Sequence, residues 1–287
     1  MDRVHRLLPP LRIHSWGGFG SQLFTAYVIL KIQKRYPGRR IKVIVHTSGV
    51  TRRVSEFDFK ILNVKVAQVE DFKDTKVDGN RKQSSRRNSS NFNKVLKHFL
   101  FRSLEQLRLI LPADTDVSFN QVSFWTLALR GHYTRLSFDE SLIKSLYFKL
   151  SKGNLKVNLN DREVVVHFRL GDLLHLTDKH PISVQRVEST LEKFQIHPNP
   201  PILLTDSKVE ELSTFLKSSN YLKFSKSLNC DPHTTLNICI EAHQFLGTSA
   251  KLSLWAAIFR YYIFDTESYL PLELVWARES GLKAKWF

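Results

Sequence analysis

The sequence is short of acid, of sulfur and of long apolar runs. Two cysteines, Cys230 and Cys239, stand nine positions apart. That is too few for a disulfide framework, and no ligand spacing surrounds them for a structural zinc site, so free buried thiols are expected. No apolar run approaches the roughly 20 residues that span a bilayer, and Met1-Asp2-Arg3-Val4-His5-Arg6 leads only to a short apolar patch before Pro9-Pro10. Neither a signal peptide nor a membrane anchor is read there, so the expected location is the cytoplasm; a shortened form of an anchored protein has the same appearance. Only 27 Asp and Glu face 43 Lys and Arg, a formal charge of +16. A field of that sign attracts anions in general: sugar nucleotides, anionic lipid or nucleic acid. Peripheral association with the inner face of an anionic membrane is one expectation, each basic side chain contributing about 1 kcal/mol near the surface. Nucleic-acid binding is the distant alternative, because no helix-turn-helix, zinc-finger or RNA-binding signature accompanies the charge.

What is present is enough apolar material, 42% of 287 residues, for two compact domains. Strand and helix patterns alternate. The apolar Leu11-Arg12-Ile13-His14 precedes a glycine-rich turn and a helix over 21–34, Pro37-Gly38 breaks that helix, and Ile41-Lys42-Val43-Ile44-Val45 is a second strand. A right-handed β-α-β crossover sets the glycine turn and the end of the second strand on one edge. A third strand is expected over 64–69, a solvated basic insertion over 73–93, a helix over 92–111 closed by Pro112, a β-rich run over 122–129 with Phe124 and Trp125 packed, and a helix over 138–150. A polar linker over 151–162 puts the boundary near residue 155, dividing 1–155 from 156–287.

The second half opens on Val164-Val165-Val166 and continues as His167-Phe168-Arg169-Leu170-Gly171-Asp172. A buried strand ending in an imidazole, a guanidinium and a carboxylate delivers chemistry to a sheet rim, where open α/β folds bind ligands. Arg169 can hold two phosphate oxygens at once and keeps its charge. Further along, helices are expected over 183–193, 209–217, 236–243 and 252–262, with strands over 200–206 and 245–249. The tail over 271–287 is expected to fold back on the rest. The loop with His175, Asp178 and His180 lacks the helical i, i+4 face that ligand pairs favour, so no metal is expected. The turn Gly17-Gly18-Phe19-Gly20-Ser21-Gln22-Leu23-Phe24 can aim backbone N–H groups at an anion, although it fits neither the Walker loop nor the dinucleotide fingerprint.

These two stretches together resemble the signature motifs of the alpha-1,2-fucosyltransferases, Gly-Gly-x-Gly-Asn-Gln-(Leu/Met)-Phe and His-x-Arg-Arg-Gly-Asp. Leu203-Leu204-Thr205-Asp206 is similar to the family's strand ending in Ser-Asp. Leu252-Ser253-Leu254-Trp255-Ala256-Ala257 is similar to its Phe-Ser-Trp-Trp-Gly-Ala, and Leu129-Arg130-Gly131-His132-Tyr133 to its Gly-Tyr-Phe turn. The resemblance spans about residues 11 to 260. Ser21 stands for the usual Asn, Leu170 for the second Arg, and Thr205-Asp206-Ser207 lacks the paired acids, departures that bear on the sugar and the linkage.

The resemblance implies an α/β, GT-B fold: two Rossmann-like domains facing each other across a cleft, acceptor on the first and nucleotide sugar on the second. It implies an inverting, metal-independent transferase without a cofactor that moves L-fucose from GDP-fucose to a hydroxyl of a glycan such as a bacterial surface polysaccharide. The alternative is another nucleotide sugar on the same scaffold. Arg169 is then the group that neutralises the departing phosphate, and Asp172 is either a general base or an orienting acid. Gly18, Gly20, Ser21, Gln22, His167, Asp206, Ser249 and Ser253 become donor contacts, and His132 an acceptor contact. The acceptor, the linkage and the oligomeric state are not legible.

Overall fold

The structure, a computed structural model, describes residues 8–46, 56–69, 103–104, 106–151, 163–171, 173, 180–195, 200–219 and 221–287. The basic stretch 73–93, most of the helix expected over 92–111, Asp172, His175, Asp178 and residue 155 lie outside them.

The first half runs β1 (Leu11–Trp16), α1 (Phe19–Arg35), β2 (Ile41–His46), β3 (Lys65–Val69), β4 (Ile110–Pro112), α2 (Asp116–Asn120), β5 (Ala128–Arg130) and α3 (Glu140–Ser151). Its strands pair in the order β3-β2-β1-β5-β4, all parallel. Trp16 lies opposite His46 in register, so the glycine turn and the end of β2 share an edge as the crossover rule requires. Helix α1 is apolar nearly all round and buries Leu23, Phe24, Tyr27, Val28, Ile29 and Ile32, the pattern of a helix covered on more than one side.

The second half runs β6 (Val164–Phe168), α4 (Val184–Lys193), β7 (Ile202–Thr205), α5 (Val209–Phe215), β8 (Ser227–Asn229), α6 (Pro232–Glu241), β9 (Gln244–Gly247), α7 (Lys251–Phe264), β10 (Tyr269–Leu270) and β11 (Lys285–Trp286). The order is β11-β10-β9-β6-β7-β8, again parallel throughout. Strand β6 is buried along its whole length, as a central parallel strand must be. The tail does fold back, adding β11 as an edge strand, and Arg186 holds it through the Phe287 carbonyl at 2.8 Å. The architecture is therefore α/β with two parallel sheets, the GT-B arrangement expected.

Two local expectations are corrected. Ile110 and Leu111 are not helical but pair with Ala128 and Leu129. Arg108, at φ +56°, turns the chain into a strand just ahead of them, so tertiary pairing overrides the 3.6-residue period. Pro112 is tolerated because β4 is a sheet edge. The β-rich run over 122–129 shrinks to Ala128–Arg130, and Trp125 is 62% exposed instead of packed.

The halves share a core. Trp255 of α7, fully buried, meets the rings of Phe24 at 5.0 Å, Tyr27 at 6.3 Å and Phe138 at 6.1 Å. One continuous apolar cluster therefore runs from β1 and α1 through α7 to Phe245 and Leu270. A second cluster, with Val166, Phe168, Val187, Leu203 and Leu212, fills the other face of the second sheet.

Candidate functional site

The carboxyl ends of both sheets face a single cleft of about 530 Å³, walled on one side by Gly17 to Ser21, Glu56, His132, Thr134 and Arg135, and on the other by His167, Arg169, Thr205, Asp206, Cys230 and Ala250 to Leu252. Helices α1, after Gly18, and α7, after Ala250, start at this cleft, and neither N-cap residue supplies a capping side chain. Helix N-termini carry partial positive charge. With Arg135, Arg169 and Lys251 on the walls, the cleft suits a polyanion.

Arg169 follows β6 at the point where its backbone leaves the sheet. Its N–H donates to Thr248 Oγ1 at 3.0 Å, and that hydroxyl donates to the His167 carbonyl at 2.9 Å. Asp206, at the end of β7, accepts through one oxygen from the N–H groups of Leu170 at 2.8 Å and Gly171 at 2.9 Å. The turn carrying the guanidinium is thus held from both neighbouring strands. Leu170 is fully buried in the second core, so an Arg at that position has no solvent to reach without rebuilding the turn.

His167 lines the cleft but is only 2% exposed, with Nδ1 2.7 Å from Ser253 Oγ. Burial, with a smaller push from Arg169 and against the pull of Asp206, drives its pKa down to about 4. The ring is neutral near pH 7 and acts as a hydrogen-bonding group, not a charge.

The glycine turn is built by close approach. Gly17 has φ +81°, a conformation that only Gly adopts without strain. At Gly20 a Cβ would stand 2.6 Å from the backbone nitrogen of Leu252 and 2.8 Å from the carbonyl carbon of Lys251. Helices α1 and α7 therefore meet backbone to backbone across the halves, and Lys251 Nζ donates to Ser21 Oγ at 3.1 Å beside that contact. Gln22 is fully buried. Its amide donates to the Gly17 carbonyl at 3.0 Å and accepts from the N–H groups of Glu56 at 3.0 Å and Phe57 at 2.8 Å. This stitches a second segment to the turn, and the carboxylate of Glu56 accepts the Phe19 N–H at 2.5 Å.

Of the residues marked in the sequence, Gly18, Gly20, Ser21, His132, His167, Arg169 and Asp206 are brought together around the cleft. Gln22 and Ser253 lie behind it, committed to the bonds above. Ser249 is half-buried and does not belong to the lining. Asp172 lies outside the described residues, as do His175 and Asp178; His180 is exposed. Cys239 is buried with its thiol pushed up by burial, whereas Cys230 is half-buried in the cleft wall. Among the described residues no group of three or more His, Cys, Asp or Glu is placed to hold a metal ion, and no helix is long and apolar enough to cross a membrane.

Glu56, Arg135 and Lys251 were not legible as site residues. Glu56 follows a basic run of sequence and belongs to no motif, and Lys251 looks like an ordinary first-turn lysine. An aromatic wall also stands beside the glycine turn, and no motif announces it. Trp16 stacks on His46 at 4.5 Å with His132 at its edge, 6.4 Å away, and the Arg130 guanidinium lies 5.7 Å from its ring.

No family model and no curated protein sequence matches the chain. Similar solved structures include a glycosyl transferase of family 9 from Veillonella parvula DSM 2008, at 8% identity and a TM-score of 0.38 over 91% of this chain and 80% of that one. The S. aureus MnaA-UDP co-structure is similar at 12% identity and a TM-score of 0.42, over 91% of this chain and 79% of that one. At such distances the chemistry has to be read from the cleft itself.

Proposed function

We propose that this protein is a glycosyltransferase that moves a sugar from a nucleoside diphosphate sugar to a hydroxyl of a glycan acceptor. The observation that carries the reading is the grouping of Arg169, Lys251 and the N-terminus of α7 on one wall of the cleft, opposite the glycine turn of the other half. Glycosyl transfer builds negative charge on the departing β-phosphate, and fixed donors aimed at that charge are the largest single source of rate. Arg169 supplies a permanent charge on a turn immobilised by Asp206 and Thr248. The neutral His167 beside it orients without adding charge. These groups are the chain's own, so the scheme runs without a metal ion or cofactor.

The finer reading is an inverting fucosyl transfer from GDP-fucose. It rests on the two motifs whose residues converge here, with Asp206 acting on the turn and His132 and the Trp16 wall on the acceptor side. Lys251 bonded to Ser21, where the family has Asn, and a buried Leu170, where it has Arg, favour keeping another nucleotide sugar as the second reading. The positive surplus fits an acceptor carried at an anionic membrane surface.

The test is a melting-temperature panel with GDP, UDP and their sugars, since a ligand that binds only the folded state raises the midpoint. A guanine-selective rise supports the fucosyl reading, and a uracil-selective rise supports the second. Arg169→Ala should abolish the shift and lower turnover by 10²-fold or more; near-normal transfer by that variant refutes the phosphate role.

A further inference from the structure

We infer that Glu56 is the general base that takes the proton from the acceptor hydroxyl. The assignment rests on the transferase reading above and names a described residue for its proton transfer.

An inverting displacement needs the nucleophile on the face of the sugar opposite the leaving phosphate, so a base must come from the wall opposite Arg169. Among the described residues, the carboxylates lining the cleft are Glu56 and Asp206. Asp206 sits on the Arg169 wall and accepts the Leu170 and Gly171 amides. Of these two, Glu56 comes from the acceptor-side half.

Glu56 is also held as a working group must be. Gln22 Oε1 accepts its N–H at 3.0 Å, its carboxylate accepts the Phe19 N–H at 2.5 Å, and His233 Nε2 lies 3.3 Å from its carbonyl oxygen across the cleft. Phe19 is pinned in turn by the His233 ring at 4.2 Å. A carboxylate offers about four lone-pair sites on two oxygens, so the Phe19 amide does not by itself saturate it.

The acceptor O–H gives its proton to a Glu56 carboxylate oxygen while the acceptor oxygen bonds to the anomeric carbon. The bond from that carbon to the β-phosphate oxygen breaks, with the electron pair leaving on the nucleoside diphosphate beside Arg169. The carboxylic acid of Glu56 then returns its proton to water.

A carboxylate at a helix N-terminus is also an ordinary stabilising cap, and Glu56→Gln separates the two roles. The amide keeps an oxygen for the Phe19 N–H but accepts no proton. With GDP-fucose as donor and lactose as acceptor probe, the variant should keep the donor-induced melting shift and lose 10²-fold or more in kcat. Glu56→Ala should regain part of its turnover on addition of formate, a restoration that a capping role does not produce. Turnover of Glu56→Gln within threefold of wild type, or Glu56→Ala that formate leaves unchanged, overturns the assignment. Wild-type protein with neither melting shift nor turnover on any GDP- or UDP-sugar overturns the transferase reading first, and this assignment with it.

Discussion

Gly20 and Leu252 touch backbone to backbone: a side chain on the first would place its Cβ 2.6 Å from the amide nitrogen of the second. Each residue belongs to the opening turn of a helix from a different half, and both line the cleft. Glycine is required here for close approach, a demand that no flexible side chain can relieve because the obstacle is main chain. Gly20→Ala should cost about 1–3 kcal/mol of stability, read in denaturant unfolding. It should also weaken nucleotide binding by parting the two helix starts, and unchanged binding would show that their spacing does not matter to the ligand.

His167 makes stability depend on pH in a definite direction. Its pKa falls from an ordinary 6.5 to about 4 in the fold, so between those values the unfolded chain holds more protons than the native one, and stability rises with pH. The contribution is complete above about pH 6.5 and is lost as pH drops towards 4. Its size is on the order of 3 kcal/mol for a fully buried ring. Comparing wild type with His167→Gln at pH 7 and pH 5 checks this: the difference between them should narrow at the lower pH.

Lys251 bridges to Ser21 at the cleft rim, where it adds a mobile point charge to the fixed fork of Arg169. Lys251→Met should weaken nucleoside diphosphate binding by roughly tenfold, the worth of one charge-assisted hydrogen bond. The salt dependence of binding should flatten at the same time. Turnover that survives a metal chelator completes the check that the phosphate charge is met by side chains; loss of turnover with chelator would assign part of that task to a metal ion.

Arg260 is 2% exposed and has carbonyl groups for partners. It donates to Ile240 at 2.9 Å, Ala242 at 2.5 Å and His243 at 3.3 Å, gathering the end of α6. Burial lowers its pKa to about 10, which still leaves it charged at neutral pH. Arg260→Met keeps the bulk but orphans those carbonyls, and should cost about 3 kcal/mol or more, seen as a fall of several degrees in melting temperature.

The parallel sheets were legible because their strands are short apolar runs bounded by turn residues, as in Ile41-Lys42-Val43-Ile44-Val45 and Val164-Val165-Val166. The rim residues Arg169 and His167 were legible because such strands end at a ligand crevice. Ile110 and Leu111 continue a helical period in the sequence yet lie in β4, because local periodicity cannot reveal pairing with a strand many residues later. Glu56 and Lys251 were invisible for a related reason. Each gains its meaning from partners distant in sequence on α1, Phe19 and Gln22 for the first and, across the halves, Ser21 for the second. Asp206 was placed at the right rim, yet its bonds to the Arg169 turn follow from backbone geometry that no motif encodes.

Trp255 welds what topology divides. With its indole wedged among Phe24, Tyr27 and Phe138, swinging one sheet away from the other would expose a dry aromatic seam, so wide hinge opening is an expensive way to admit a substrate. Traffic through the crevice is left to side chains and short turns at its lips. The same seam makes heat melt both sheets together, in one calorimetric peak instead of two.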